Sequence, residues 1–340
     1  MKKTAVVNGT RVIFSVILVA YMVLFGFGTS RAADKTVKLR LGNVVQPNHP
    51  MNVAAEKFAK KVAEKTNNRV KITVFPARQL GDDRQLFEQV QQGALEMAEI
   101  SVAPIGSTTL LVTAFQMPFL FTDWDQYLKA IKDPVTDKVL QGLEQYQVKG
   151  LAVYNAGFRH FVTVDKIVTQ PADMKGLKFR VAETPLHLDI FKALGASPTP
   201  MPYGEIYSGL QNKVIDGLEM DLSAILMEKH YEVAKNISLS KHFTWPAILM
   251  INMSKFKSLS PEDQKAIVDS AREEIDENVA YIAEIEKKAV ADLKGKGVVM
   301  QELTPAQIAP FIEATKPVEA AYCAKDPLVA EYVKRVKEIK

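Results

Sequence analysis

From residue 36 onward the chain alternates strand and helix patterns, and their order restricts the fold more than any other feature. "TVKLRLGNVV" alternates apolar and polar positions and reads as a strand. "HPMNVAAEKFAKKVAEKT" places apolar residues at helical spacing and stops at the polar "NNR". "VKITVFPARQ" is a second strand, interrupted by Pro76. "GDDRQLFEQVQQG" is a helix with Asp82 or Asp83 at its N-cap and Gly93 near its end, and "ALEMAEISV" is a third strand. Parallel neighbours cannot be joined by a tight hairpin; they need a long crossover, usually a helix. Strand, helix, strand, helix, strand therefore predicts a parallel sheet with helices on its faces.

The pattern then recurs. "LAVYNAGFRHFVT" is strand-like, and "GLKFRV" is a strand leading to the helix "PLHLDIFKALGA". "YGEIYSGLQNKVIDGLEMDLS" reads as a helix and a short strand. The stretches "FEQVQQGALEMAEIS" and "YSGLQNKVIDGLEMDLS" share an aromatic residue, a Gln-bearing helix, Gly, "LEM" and Ser. Either this is an internal echo of one plan in two lobes, or two amphipathic helices are similar by chance. "WPAILMINMSKF" is a further apolar strand. From Ser260 a helical pattern starts at Ser-Pro-Glu and meets no Gly until Gly295. Its apolar positions keep no heptad seam, which argues against a coiled-coil arm and for a helix braced along two lobes. A chain of 340 residues, 47% hydrophobic and 24% charged, suits two domains or one fold of two lobes.

The first residues follow other rules. Lys2, Lys3 and Arg11 precede "VIFSVILVAYMVLFGFG", and "TSRAAD" follows. A positive end, an apolar core and small residues are the layout of a secretory signal, with cleavage expected after Ala32. The alternative, an uncleaved anchor, would need a span of ~20 residues. The segment 1–32 carries Lys2, Lys3, Arg11 and Arg31 and no acid, so removing it takes the net charge from +4 to zero. The basic balance thus belongs to the leader and not to a nucleic-acid-binding surface. One cysteine, Cys323, excludes an intrachain disulfide and a cysteine-based zinc cluster. Export without disulfides suits a bacterial periplasm.

Catalytic signatures are absent: there is no G-x-S-x-G elbow, P-loop, G-x-G-x-x-G after a strand or H-E-x-x-H. His49, His160, His187, His230 and His242 have no metal-ligand spacing, and Asp82 and Asp83 sit where a helix cap belongs. What remains is arginine in apolar settings: Arg159 in "GFRHF" and Arg180 in "KFRV". A guanidinium holds a carboxylate through two parallel hydrogen bonds, and ligands of open α/β sheets lie beyond the carboxyl ends of the strands. The alternative for each is an ion pair with a neighbouring Asp or Glu. Without a catalytic motif, these features favour a periplasmic ligand-binding protein. An exported enzyme acting on an organic acid is the other class, with Glu205 and Asp221 as its candidate groups.

The segment "DMKGLKFRVAETPLHLDIFKALGASPTPMPYGEIYSGLQNKVIDGLEMD", residues 173–221, resembles the hallmark region of the substrate-binding proteins of tripartite ATP-independent periplasmic (TRAP) transporters, the DctP type. The likeness extends to residues 58–98, to "GFRHFVT" and to "EKHYEVAKNISLSKH". It implies a two-lobed periplasmic binding protein fold of class α/β, with two mixed or parallel sheets flanked by helices and a long helix, about 260 to 295, bracing both. Lobe I would comprise 33–156 and 245–284, and lobe II 157–244 and 285–340. The resemblance implies Arg180 as the principal partner of a ligand carboxylate, Arg159 as its assistant and Tyr203 as an aromatic against the ligand. Asn43 and Ser101 would offer polar contacts from the first lobe, and His242 would lie near the hinge side. Many members follow "DGLE" with an Asn that bonds the carboxylate; here Met220 stands there, with Asp221 next. Methionine cannot donate that bond, and an Asp beside the clamp disfavours a second carboxylate. The expected ligand is a hydroxylated monocarboxylate such as a sugar acid, with C4-dicarboxylates and aromatic acids as alternatives. The expected partners are TRAP membrane subunits, with no cofactor, metal or nucleic acid, and the protein is expected to be a monomer.

Overall fold

The computed structural model describes residues 36–339. The leader and its cleavage site lie outside the described residues. Strands β1 (Val37–Gly42), β2 (Val70–Phe75), β3 (Met97–Ser101), β4 (Val148–Phe158) and β10 (Thr244–Asn252) form one sheet in the order β2-β1-β3-β10-β4. Strands β5 (His160–Thr163), β6 (Lys178–Val181), β7 (Ser197–Pro200), β8 (Gly217–Met220), β9 (Asn236–Leu239) and β11 (Val299–Glu302) form the other, ordered β11-β9-β5-β8-β6-β7. Both are mixed. β1, β2 and β3 run parallel with β10 antiparallel among them, and β6, β7 and β8 run parallel with β5 antiparallel beside β8. The runs β2-β1-β3-β10 and β7-β6-β8-β5 therefore follow one plan. The "LEM" stretches fall at corresponding places, leading into β3 and lying within β8.

The long strand-like run ends differently from its sequence pattern. The strand-like run continues past Phe158 to Thr163, yet the chain leaves the first sheet at Phe158 and enters the second at His160. Gly157 makes this possible: its φ is +143°, and an added Cβ would stand 2.9 Å from both Asp221 Cβ and Glu286 Oε1. The return crossing runs alongside. Arg159 N–H donates to the Phe243 carbonyl (2.8 Å), and His242 N–H donates to the Arg159 carbonyl (3.3 Å).

The helix Pro261–Gly295 starts where Ser260 accepts a hydrogen bond from Asp263 N–H. Its first half buries Ile267, Ala271, Ile275 and Val279 in the larger core cluster, and its end buries Ala289 and Leu293 among Leu218, Met220 and Ile237 of the second sheet. It thus packs on both sheets. The helix Pro305–Lys325 packs on Pro185–Ala193 beside β6. The sequence reading gave all of 285–340 to the second lobe. Pro327–Glu338 instead packs on Leu110–Gln116 and Pro134–Gln141, which accompany the first sheet. Among the described residues no helix is long and apolar enough to cross a membrane.

Candidate functional site

A cavity of about 390 Å³, within the range of small-molecule sites, opens beyond the carboxyl ends of β1, β3, β6 and β8. Val44, His49, Asp83 and Ser101 line it from the first sheet's side. Arg180, Tyr203, Glu205 and Asp221 line it from the second, and Arg159 and Trp245 stand at the crossings. Five of the residues singled out from sequence thus converge: Arg180, Arg159, Tyr203, Asp221 and Ser101.

The two arginines differ in what they hold. Arg159 Nε donates to Glu219 Oε2 (2.5 Å), Nη1 to Asp221 Oδ2 (3.0 Å) and Nη2 to the Glu219 carbonyl (2.7 Å). Its guanidinium carbon lies 3.9 Å from the centre of the Trp245 ring. Arg180 donates from Nε and Nη2 to the Met201 carbonyl at 3.0 and 2.7 Å. Its Nη1 is buried, has no hydrogen-bond partner and stands 3.7 Å from Glu219 Oε1. Burial brings the Arg180 pKa down to about 10, with Glu219 opposing, so the group stays charged at neutral pH. Glu219, fully buried between the arginines, was not singled out from sequence. Burial raises its pKa, and the two guanidinium groups pull it back.

The acids on the other walls are set by helix starts. Asp221 caps Leu222–Met227: Oδ1 accepts from Ala224 N–H (2.9 Å) and Ser223 Oγ (2.6 Å), and His49 Nε2 lies 3.8 Å away. Burial alone would raise its pKa, but His49, Arg159 and Ser223 outweigh it and hold the carboxyl well below the usual range. Ser101 caps Val102–Ile105 at the corresponding place after β3. Asp82 caps Asp83–Gln92 in a capping box with Gln85, as its spacing predicts. Asp83 next to it faces the cavity with Oδ1 unpartnered, and burial together with the Asp82 charge pushes its pKa up to about 8.

Met220, Asn43 and His242 do not line the cavity. Alternation along β8 sends Met220 into the core beside Leu218 and Ile237, away from its neighbours Glu219 and Asp221. Asn43 is buried, donating to Asn52 Oδ1 (2.9 Å) and accepting from Val45 N–H (3.3 Å); it shapes the loop that carries Val44 and Val45. His242 stacks on Phe161 at 4.4 Å and pairs with Ser240 Oγ (2.7 Å), so it belongs to the packing of the crossing. His49, Asp83 and Trp245 escaped the sequence reading. His49 and Asp83 looked like an isolated histidine and a cap, and Trp245 like a core residue.

Residues 41–326 match the family described as bacterial extracellular solute-binding protein, family 7, DctP. The chain belongs to this family, the solute-binding proteins of TRAP transporters. The 2,3-diketo-L-gulonate-binding periplasmic protein YiaO of Escherichia coli is 33% identical over 275 residues, 81% of this chain and 83% of that protein. A TRAP solute-binding protein of Roseobacter denitrificans with bound β-D-glucuronate superposes with a TM-score of 0.84 at 30% identity, covering 89% of this chain and 100% of that one. The sugar acid binding protein DctPAm of Advenella mimigardefordensis, in complex with galactonate, gives 0.86 at 27% identity over 90% and 99%. DctP proteins work in the periplasm with TRAP membrane subunits and take small acids as ligands.

Proposed function

We propose that the protein captures a small hydroxylated monocarboxylate, a sugar acid, and passes it to the membrane subunits of a TRAP transporter. One observation carries this reading: Arg180 lines the cavity and keeps a buried Nη1 without a hydrogen-bond partner, beside several carboxyl groups. A ligand carboxylate fits beside it, within reach of Arg159. Asp83, opposite, suits a ligand hydroxyl, because it can accept when ionised and donate when protonated. A second carboxylate near Asp83 and Asp221 would find Arg159 already held by Glu219 and Asp221, and Arg84 by Glu88. The sugar acids named for YiaO, the Roseobacter protein and DctPAm support the same chemistry.

In this reading the leader is removed after Ala32 and the protein acts as a monomer, without a cofactor and without turning its ligand over. Asp221, ionised and engaged by Arg159, Ser223 and a helix N-terminus, is unsuited to protonate a substrate. Titration calorimetry with D-glucuronate, D-galacturonate, D-galactonate and succinate tests the proposal. A sugar acid should bind at least ~100-fold more tightly than succinate, the factor for a few kcal/mol of uncompensated charge. NMR should recover the sugar acid unchanged. Succinate binding as tightly as the best sugar acid would overturn the assignment.

A further inference from the structure

Beyond the cavity wall, one cluster joins the two sides of the site without lining it. Arg78 follows β2, and the turn that carries it is tied to the first sheet. Ala77 N–H donates to the Val45 carbonyl (2.7 Å), Arg78 N–H to the Asn43 carbonyl (3.2 Å) and Arg78 Nη1 to the Val44 carbonyl (3.1 Å). From there the side chain reaches across. Its guanidinium carbon stands 5.4 Å from the centre of the Tyr203 ring, and Nη2 lies 3.5 Å from Glu228 Oε2. Glu228 ends the helix that Asp221 begins, and its Oε1 accepts from Gln46 Nε2 at 3.1 Å. Gln46 lies on the loop whose Val44 and Val45 line the cavity. The Arg78 and Glu228 side chains are 27% and 16% exposed, so the cluster sits at the rim, within reach of solvent.

We propose that Arg78, Gln46 and Glu228 are positioning residues that latch the two lobes over the bound ligand and set how fast it leaves. This rests on the binding-protein reading above. Glu228 carries both contacts from the second side, so one substitution releases both. Residues that hold a lid closed act on escape and little on encounter. A part-buried, charge-assisted pair governs about a tenfold change in rate.

The experiment uses the mature protein and D-glucuronate in stopped flow, with spin labels on the two lobes to measure their separation. Glu228→Ala, which removes both acceptors, should raise the dissociation rate about tenfold and leave the association rate within about twofold. Arg78→Glu should do the same, and Arg78→Glu with Glu228→Arg should recover the wild-type rate. The label distances should lengthen in each single variant and return in the double one. A purely structural role would lower the melting temperature without this split or rescue. If the wild type binds none of D-glucuronate, D-galacturonate and D-galactonate, the sugar-acid reading fails, and the label distances alone decide the latch. Unchanged distances, unchanged dissociation rates or a double variant no better than its parents would overturn it.

Discussion

Arg159 commits three donors to Glu219 and Asp221, whereas Arg180 bonds one carbonyl and leaves Nη1 without a hydrogen bond, 3.7 Å from Glu219. Their truncations should therefore fail in different ways. Arg159→Ala strands two buried carboxyl groups, and breaking a buried pair from one side costs ~3–5 kcal/mol. Its melting temperature should fall by roughly 10 °C, at ~2–4 °C per kcal/mol. Arg180→Ala leaves Glu219 its shorter bonds from Arg159, so it should lose less stability than Arg159→Ala while losing at least ~100-fold in sugar-acid affinity. Arg180→Lys should not rescue it, since an ammonium lacks the fixed planar fork that holds the Met201 carbonyl with Nε and Nη2 while Nη1 faces the ligand. Differential scanning calorimetry and titration calorimetry on the two variants separate brace from clamp. Equal losses of stability in both would refute the division.

The elements that meet at the crossing are clipped to the long helix. Asn278 Oδ1 accepts from Asn155 N–H (2.9 Å), Glu286 Oε1 accepts from Phe158 N–H (2.7 Å), and Glu286 Oε2 accepts from Trp124 Nε1 (3.2 Å). Burial pushes the Glu286 pKa from an ordinary 4.5 up to about 7, with the Asp221 charge adding to it and the Phe158 and Trp124 bonds opposing. The folded protein therefore holds this proton more tightly than the unfolded chain. The group's contribution is largest below about pH 4.5 and is lost as the pH rises through about 7. Glu286→Gln keeps an acceptor for Phe158 and removes the titration. Urea midpoints from pH 5 to pH 8 should fall more steeply for the wild type than for the variant. Parallel pH profiles would rule out Glu286 as the titrating group.

This clip also marks where sequence reading ran out. The helix itself was legible, from Ser260 to Gly295, because a capping residue, a first-turn proline and a late glycine bound it. The break at Arg159 was not. A strand-like apolar run is a local signal and continues when a strand changes sheets. The two-lobed plan was legible in the order of elements and in the paired "LEM" stretches. Arg180 stood out because a charge on an apolar strand is conspicuous. His49 and Asp83 did not, since one read as an isolated histidine and the other as part of a helix cap, and only the packed lobes bring them to the cavity.

At the scale of the molecule, the chain passes between the sheets at Arg159, at Phe243, along the long helix and at Asp326. One core cluster runs from Leu41 and Ile100 through Phe158, Phe161 and Phe243 to Phe179 and Phe191. The described residues from 37 onward accordingly form one compact unit. Neither lobe can lose its packing without exposing core that the other covers, so unfolding should be cooperative across both. The ligand adds to this coupling, because the cavity has walls from each side. A ligand that binds only the folded state, free at 100 times its Kd, stabilises by ~2.7 kcal/mol. A calorimetric scan should show one transition for the mature protein, moved upward by several degrees at that ligand excess. With walls on both sides, the whole transition should move as one. Two resolved transitions, with the ligand shifting one of them, would mean that the shared aromatic core does not bind the lobes into a single folding unit.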